Sequence, residues 1–114
     1  MAHQENCTDV MAEIWDLRGE LPGAADAAFE LHRTALTGGA LPRSSKALMA
    51  LAISITSRCV GCITCHVEGA LESGATPDQV HEAIGVAILM GGGPSATYGA
   101  EAAKAVQEYL RTHP

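Results

Sequence analysis

Residues 59 to 66 read CVGCITCH, three cysteines and a histidine within one short stretch. Three spacings overlap there, and each would do different chemistry. Cys59-x-x-Cys62 is a dithiol spacing able to close a redox disulfide. Cys62-x-x-Cys65-His66 is the spacing of covalent c-type haem attachment. Cys59, Cys62 and His66 together supply three of the four donors a structural zinc site uses. If the stretch is helical, at 100° per residue, Cys59, Cys62 and His66 fall within an arc of about 60°. The thiol of Cys62 and the imidazole of His66 are then i, i+4 neighbours. Cys65 is turned from Cys59 by about 120° and reads as a small packing cysteine. Two effects would lower a thiol pKa. The positive end of a helix favours Cys59, whereas a neighbouring histidine favours Cys62, and the spacing does not choose between them.

The haem reading wants an export signal and a second axial ligand. MAHQENCTDVMAEIW lacks a basic start, an apolar run and a small-residue cleavage site, and Met49, Met90 and His81 have no distinctive context as ligands. Zinc lacks a fourth donor, since structural sites usually combine two separated pairs. A poised dithiol, with no metal or other cofactor, is the reading preferred, with zinc and a purely structural cluster of buried cysteines as the alternatives. Cys7 stands apart and reads as an unpaired thiol near the chain's start.

The remaining sequence must position that stretch. The 114 residues suit one domain spanning 1–114, and 47% hydrophobic residues with only 4% aromatics imply a core of closely packed small side chains. Every strong periodicity is helical. TDVMAEIWDLRGE, with Thr8 as a possible N-cap, places Val10, Ile14 and Leu17 on one face, and Trp15 reads as a packing anchor. GAADAAFELHRTAL offers Ala24, Ala28, Leu31 and Ala35, and SSKALMALAISITS, with a serine cap, offers Leu48, Leu51, Ala52 and Ile55. The cysteine segment should stop at Gly74. In TPDQVHEAIGVAILM, Thr76, Pro77 and Gln79 spell an N-cap, a first-turn proline and a capping box ahead of Val80, Ile84, Ala87 and Ile88. GGGP breaks the chain, and Pro94 opens a last helix showing Tyr98, Ala102, Ala105 and Tyr109. The glycines there lack the strand and Lys-Ser/Thr of a phosphate loop and read as a close helix approach. The expectation is an all-α, single-domain bundle of five to six helices that completes its core in a homo-oligomer.

The formal net charge of −6 argues against nucleic acid or an anionic membrane surface as a partner, and no apolar run is long enough to span a bilayer. The expected compartment is the cytoplasm, where structural disulfides are rare.

The stretch from LPRSSKALMALAISITSRCVGCITCH through GAxxxGATPDQVxEAI to MGGGP resembles the carboxymuconolactone decarboxylase family, in particular its alkyl hydroperoxidase D-like branch, over roughly residues 24 to 111. The resemblance implies a small all-α subunit of a trimer or hexamer that reduces peroxides or exchanges disulfides, regenerated by an external dithiol. It also implies roles. Cys62 would be oxidised to sulfenic acid, Cys59 would be proton donor and resolving thiol, and His66 would sit in the proton relay. One departure matters. The family often carries a relay glutamate twelve positions before the first cysteine, and Ala47 stands there. Glu68, Glu72 and Glu82 are candidate substitutes, although Glu68 should point away from His66. The reaction that names the family, decarboxylation of a muconolactone-type acid, does not need two thiols. It would need a carboxylate pocket, for which Arg43 and Arg58 are available. A non-catalytic ligand- or metal-binding oligomer is the third possibility.

Overall fold

The computed structural model describes residues 6–114; the first five, part of the stretch read above for a leader, lie outside the described residues. Six helices follow one another: α1 (Cys7–Asp16), α2 (Pro22–Leu36), α3 (Arg43–Thr56), α4 (Val60–Glu72), α5 (Pro77–Gly91) and α6 (Gly93–Thr112). A 3-10 turn, Leu17–Gly19, joins the first two, and no strand occurs among the described residues.

The core belongs to the last four helices. Leu51 and Ile55 of α3, Ile63 and Val67 of α4, Val80, Ile84 and Ala87 of α5, and Ala102, Ala105 and Val106 of α6 form one buried cluster. The faces expected of α3, α5 and α6 supply most of this cluster, with Leu48, Ala52 and Tyr98 packed against its edge, but Ile88 is exposed and Tyr109 stacks on His113 outside it. Small residues set how closely the helices approach. A methyl group at Gly91 would lie 1.8 Å from Ser95 Oγ and 3.1 Å from Thr56 Cγ2, and one at Gly99 would lie 2.8 Å from Ile84 Cγ2. Gly92, with φ 74°, makes the turn into α6.

α1 and α2 are peripheral, with Val10 and Ala25 their buried side chains. The stripe expected of α2 is displaced by one residue. Ala24, Ala28, Leu31 and Ala35 are exposed, while Ala25 is buried and Phe29 and Leu36 are half-buried. An alanine-rich helix offers several nearly equivalent faces, and the aromatic ring decides which turns inward. Phe29 packs against Trp15 at 5.6 Å, and Arg18 lies 4.1 Å above the Trp15 ring, so Trp15 ties α1 to α2. Two caps also differ from expectation. Asn6, not Thr8, caps α1 by accepting the Asp9 N–H, and α3 starts behind Pro42 without a serine cap. The capping box of Thr76 and Gln79 is formed in full.

Candidate functional site: a dithiol at the start of α4

The site is built where α3 hands the chain to α4. α3 ends in a Schellman motif: the Cys59 N–H donates to the Ser54 carbonyl and the Arg58 N–H to the Ile55 carbonyl, both at 3.1 Å. The motif needs a left-handed residue, and Arg58 occupies that place at φ 59°, the one non-glycine residue with positive φ among those described. Such a conformation costs a side-chain-bearing residue roughly 1–2 kcal/mol. The result is a reversal so tight that Cys59 closes one helix and caps the next. α4 ends in the same motif with Gly74, at φ 103°, in the left-handed place, where the sequence put its stop.

Cys59 is the N-cap of α4 and lies outside the helix proper, so it sits at the positive end of the helix. Its sulfur accepts the N–H of Cys62 at 3.2 Å, a contact that favours negative charge on Cys59. The two sulfurs are joined as a disulfide, with Cα atoms 5.2 Å apart. Cys59 is half-buried and Cys62 exposed. The pair thus divides its properties: the sulfur with the better-stabilised thiolate is the sheltered one, and the sulfur open to solvent is its partner.

His66 follows one turn along α4 from Cys62 and is half-buried. Its ring stacks on that of His32 from α2, with centroids 5.5 Å apart and planes 13° apart. Burial first, and the neighbouring His32 second, hold the His66 imidazole below its ordinary value, so the ring is a neutral base at neutral pH. His32 was not among the sequence candidates. The signal was present, because Ala25, Phe29, His32 and Leu36 step by four, three and four, but it is visible only once the α2 stripe is set one residue from its most alanine-rich register.

The other two cysteines correct the sequence reading. Cys7 is not an unpaired thiol and Cys65 is not a bystander; they are joined to each other, 58 residues apart in sequence, with Cα atoms 4.6 Å apart. The rotation that takes Cys65 away from Cys59 turns it toward α1, which packs on α4. The haem spacing therefore has its second cysteine committed elsewhere. Among the described residues no group of three or more His, Cys, Asp or Glu side chains is placed to hold a metal ion.

Of the proposed substitute carboxylates, Glu68 accepts the backbone N–H of Cys7. Burial raises its carboxyl group, and that hydrogen bond opposes the rise. With Glu72 it lines a cleft of about 360 Å³ bounded also by Glu108, Tyr109 and His113, which none of Cys59, Cys62 and His66 lines. Glu82 and His81 are exposed. Ala47 is buried in the core cluster.

An all-α bundle presenting a Cys-x-x-Cys at a helix start, with a histidine one turn on, defines a helical dithiol protein. The chain belongs to the carboxymuconolactone decarboxylase family, whose model matches residues 22–105. It is 36% identical over 85 residues to an uncharacterised protein of Cupriavidus necator, covering 74% of this chain and 75% of that one. It is equally identical over 83 residues to uncharacterised protein 4 of the cox locus of Paracoccus denitrificans, covering 73% and 75%. Among solved structures, a carboxymuconolactone decarboxylase family protein from Legionella pneumophila superposes with a TM-score of 0.82 at 34% identity, over 90% of this chain and 92% of that one. The fold extends to a Burkholderia xenovorans protein at 23% identity and a TM-score of 0.76, over 88% and 79% of the two chains.

Proposed function

We propose that the chain is a thiol-dependent peroxidase and disulfide oxidoreductase of the peroxiredoxin type, with Cys59, Cys62 and His66 as its working residues. The observation that carries this reading is the Cys59–Cys62 pair closed at the N-terminus of α4 with Cys62 exposed. In the reduced protein, neutral His66 takes the Cys62 proton. The Cys62 thiolate attacks a peroxide oxygen, the O–O bond breaks, and the departing oxygen takes a proton to leave as an alcohol or water. The Cys62 sulfenic acid condenses with Cys59, releasing water and closing the disulfide. An external dithiol then attacks exposed Cys62, and Cys59 leaves as the thiolate that the helix start and the Cys62 N–H stabilise.

His32, stacked face to face on His66, shields and tunes that ring rather than exchanging a proton with it, so the outer relay place that Ala47 cannot fill has no substitute in this pair. A missing outer relay group lowers the rate without abolishing the chemistry, since general acid–base help is typically worth about 10²–10⁴-fold. The cytosol, which supplies dithiol reductants, is the compartment this reading assigns. The chain acts as a subunit of a homo-oligomer, a trimer or hexamer, and exposed Ile53, Val86, Leu89 and Met90 on α3 and α5 are the apolar surface available for it.

The test is peroxide consumption with a dithiol regenerator. Cys62→Ser is expected to lose turnover entirely, and Cys59→Ser to form no Cys59–Cys62 disulfide and to turn over more slowly, its Cys62 sulfenic acid being taken by Cys65 or by the external dithiol. Equal turnover by wild type and Cys62→Ser would end the proposal.

A further inference from the structure

α4 meets three cysteines at intervals of three residues, Cys59 at its cap and Cys62 and Cys65 within its turns, and the outer two have different partners. We propose that Cys7 and Cys65 form a second redox centre that exchanges its disulfide with Cys59–Cys62 through the Cys62 and Cys65 sulfurs. The chain would thereby hold a second pair of electrons behind its solvent-facing dithiol. The proposal rests on reading Cys59–Cys62 as redox-active.

Three observations carry it. Residues three apart on a helix have Cα atoms about 5 Å apart, inside the roughly 4.4–6.8 Å range a disulfide spans. Cys62 and Cys65 are so placed on α4, and closing a bridge between them draws their Cβ atoms in from about 5–6 Å to about 3.5–4.5 Å, which a local adjustment of the helix's first turns supplies. Exposure grades across the set: Cys62 is open to solvent while Cys65 and Cys7 are half-buried, so exposed Cys62 is the natural way in for oxidising equivalents. Finally, Cys7 opens a helix with Val10 as its one buried residue, held to α4 by the disulfide and the Cys7 N–H to Glu68. A helix so lightly attached can yield locally, as exchange at its first residue requires.

The exchange balances within the chain. After peroxide has closed Cys59–Cys62, the Cys65 thiolate attacks the Cys62 sulfur; the Cys59–Cys62 bond breaks and Cys59 leaves as thiolate. The Cys7 thiolate then attacks the Cys65 sulfur; the Cys62–Cys65 bond breaks and Cys62 leaves as thiolate. Two electrons pass from the Cys7/Cys65 pair to the Cys59/Cys62 pair, and the two thiol protons follow through solvent. Cys59 and Cys62 are then ready for a second peroxide, so four thiols consume two peroxides. With both disulfides closed, the structure corresponds to the fully oxidised end of that sequence.

The experiment adds one equivalent of hydrogen peroxide to fully reduced protein, quenches with an alkylating agent at increasing times and maps disulfides by mass spectrometry. Cys59–Cys62 is expected first, giving way to Cys7–Cys65 with Cys59 and Cys62 alkylated. In Cys62→Ser, closure of Cys7–Cys65 should slow at least tenfold, and in Cys7→Ser a Cys62–Cys65 disulfide should become detectable. Closure at the wild-type rate in Cys62→Ser would overturn the proposal. So would a wild-type product that stays at Cys59–Cys62, or absence of Cys62–Cys65 in Cys7→Ser. A parallel series closes Cys59–Cys62 with diamide. Transfer there without reaction toward peroxide would refute the peroxidase reading and leave the exchange standing.

Discussion

At the scale of single residues, the histidine pair makes a pH dependence that can be given a sign. Folded His66 holds a proton less readily than the same residue in the unfolded chain, whose value is about 6.5. Between the lowered folded value and that figure, the unfolded chain binds more protons, so stability falls as pH drops below about 6.5 and is fully present above it. Urea midpoints at about pH 7.5 and about pH 5.5 should therefore separate in wild type and draw together in His66→Gln. Under the proposed mechanism the rate should show an acid limb from the same protonation, lying below about 6.5. His32→Ala should move that limb upward, because it removes a neighbouring charge and uncovers the His66 ring, both of which now depress the value. A limb that stays in place in His32→Ala would show that His32 does not hold the His66 value down. The placing of Cys62 and His66 one turn apart was readable from helical spacing, and Cys59 from its Cys-x-x-Cys spacing, although it caps α4 rather than lying within it. The contacts of His32 and Cys7 were not, since each meets its partner only through packing of another helix on α4.

Elements were legible where the chain's own chemistry decides them and less so where packing does. Thr76, Pro77 and Gln79 define the start of α5 within a few residues of sequence, and the box is found as read. The start of α1 was read at Thr8, whereas Asn6 caps it and lets α1 run back to Cys7, whose sulfur and N–H are both engaged by α4. α2, with alanine on most faces, had no strong preference of its own. The small residues at the α5–α6 turn carry a sharper consequence. Gly91→Ala puts a methyl group 2.8 Å from the Cβ of buried Ser95, which only a backbone shift can clear, and overpacking of that kind costs about 1–3 kcal/mol. Gly69→Ala, in the middle of α4 with nothing within 4 Å of the added methyl, should instead gain up to about 1 kcal/mol of helix preference. Chemical denaturation of the two variants should move the midpoint in opposite directions. A stabilised Gly91→Ala would mean that α5 and α6 do not approach as described.

The described residues form a four-helix core, α3 to α6, with a two-helix flap of which α1 packs on the cysteine-bearing α4 and α2 on α3. The count and class of helices were readable because every apolar repeat has the same period, but the division into core and flap was not. It depends on α1 and α2 burying so little, which the composition of neither segment announces. The same imbalance reappears on the opposite side. Ile53, Val86, Leu89 and Met90 are 65%, 57%, 79% and 76% exposed, and a shallow groove between α3 and α5 is lined by Met49, Ala52, Ile53, Val86 and Met90. Contiguous apolar surface of this kind marks an interaction face. If the face is where copies of the chain meet, a charge at its centre must be buried on assembly or keep the copies apart. Ile53→Glu is then expected to sediment as a monomer while keeping its helical circular dichroism, because the side chain it replaces takes no part in the core cluster. Leu31→Glu, on an equally exposed side chain of α2, should leave the assembly intact. Loss of assembly in Leu31→Glu but not in Ile53→Glu would move the contact to the flap, where α1 and the Cys7–Cys65 bridge would be covered by the neighbouring copy.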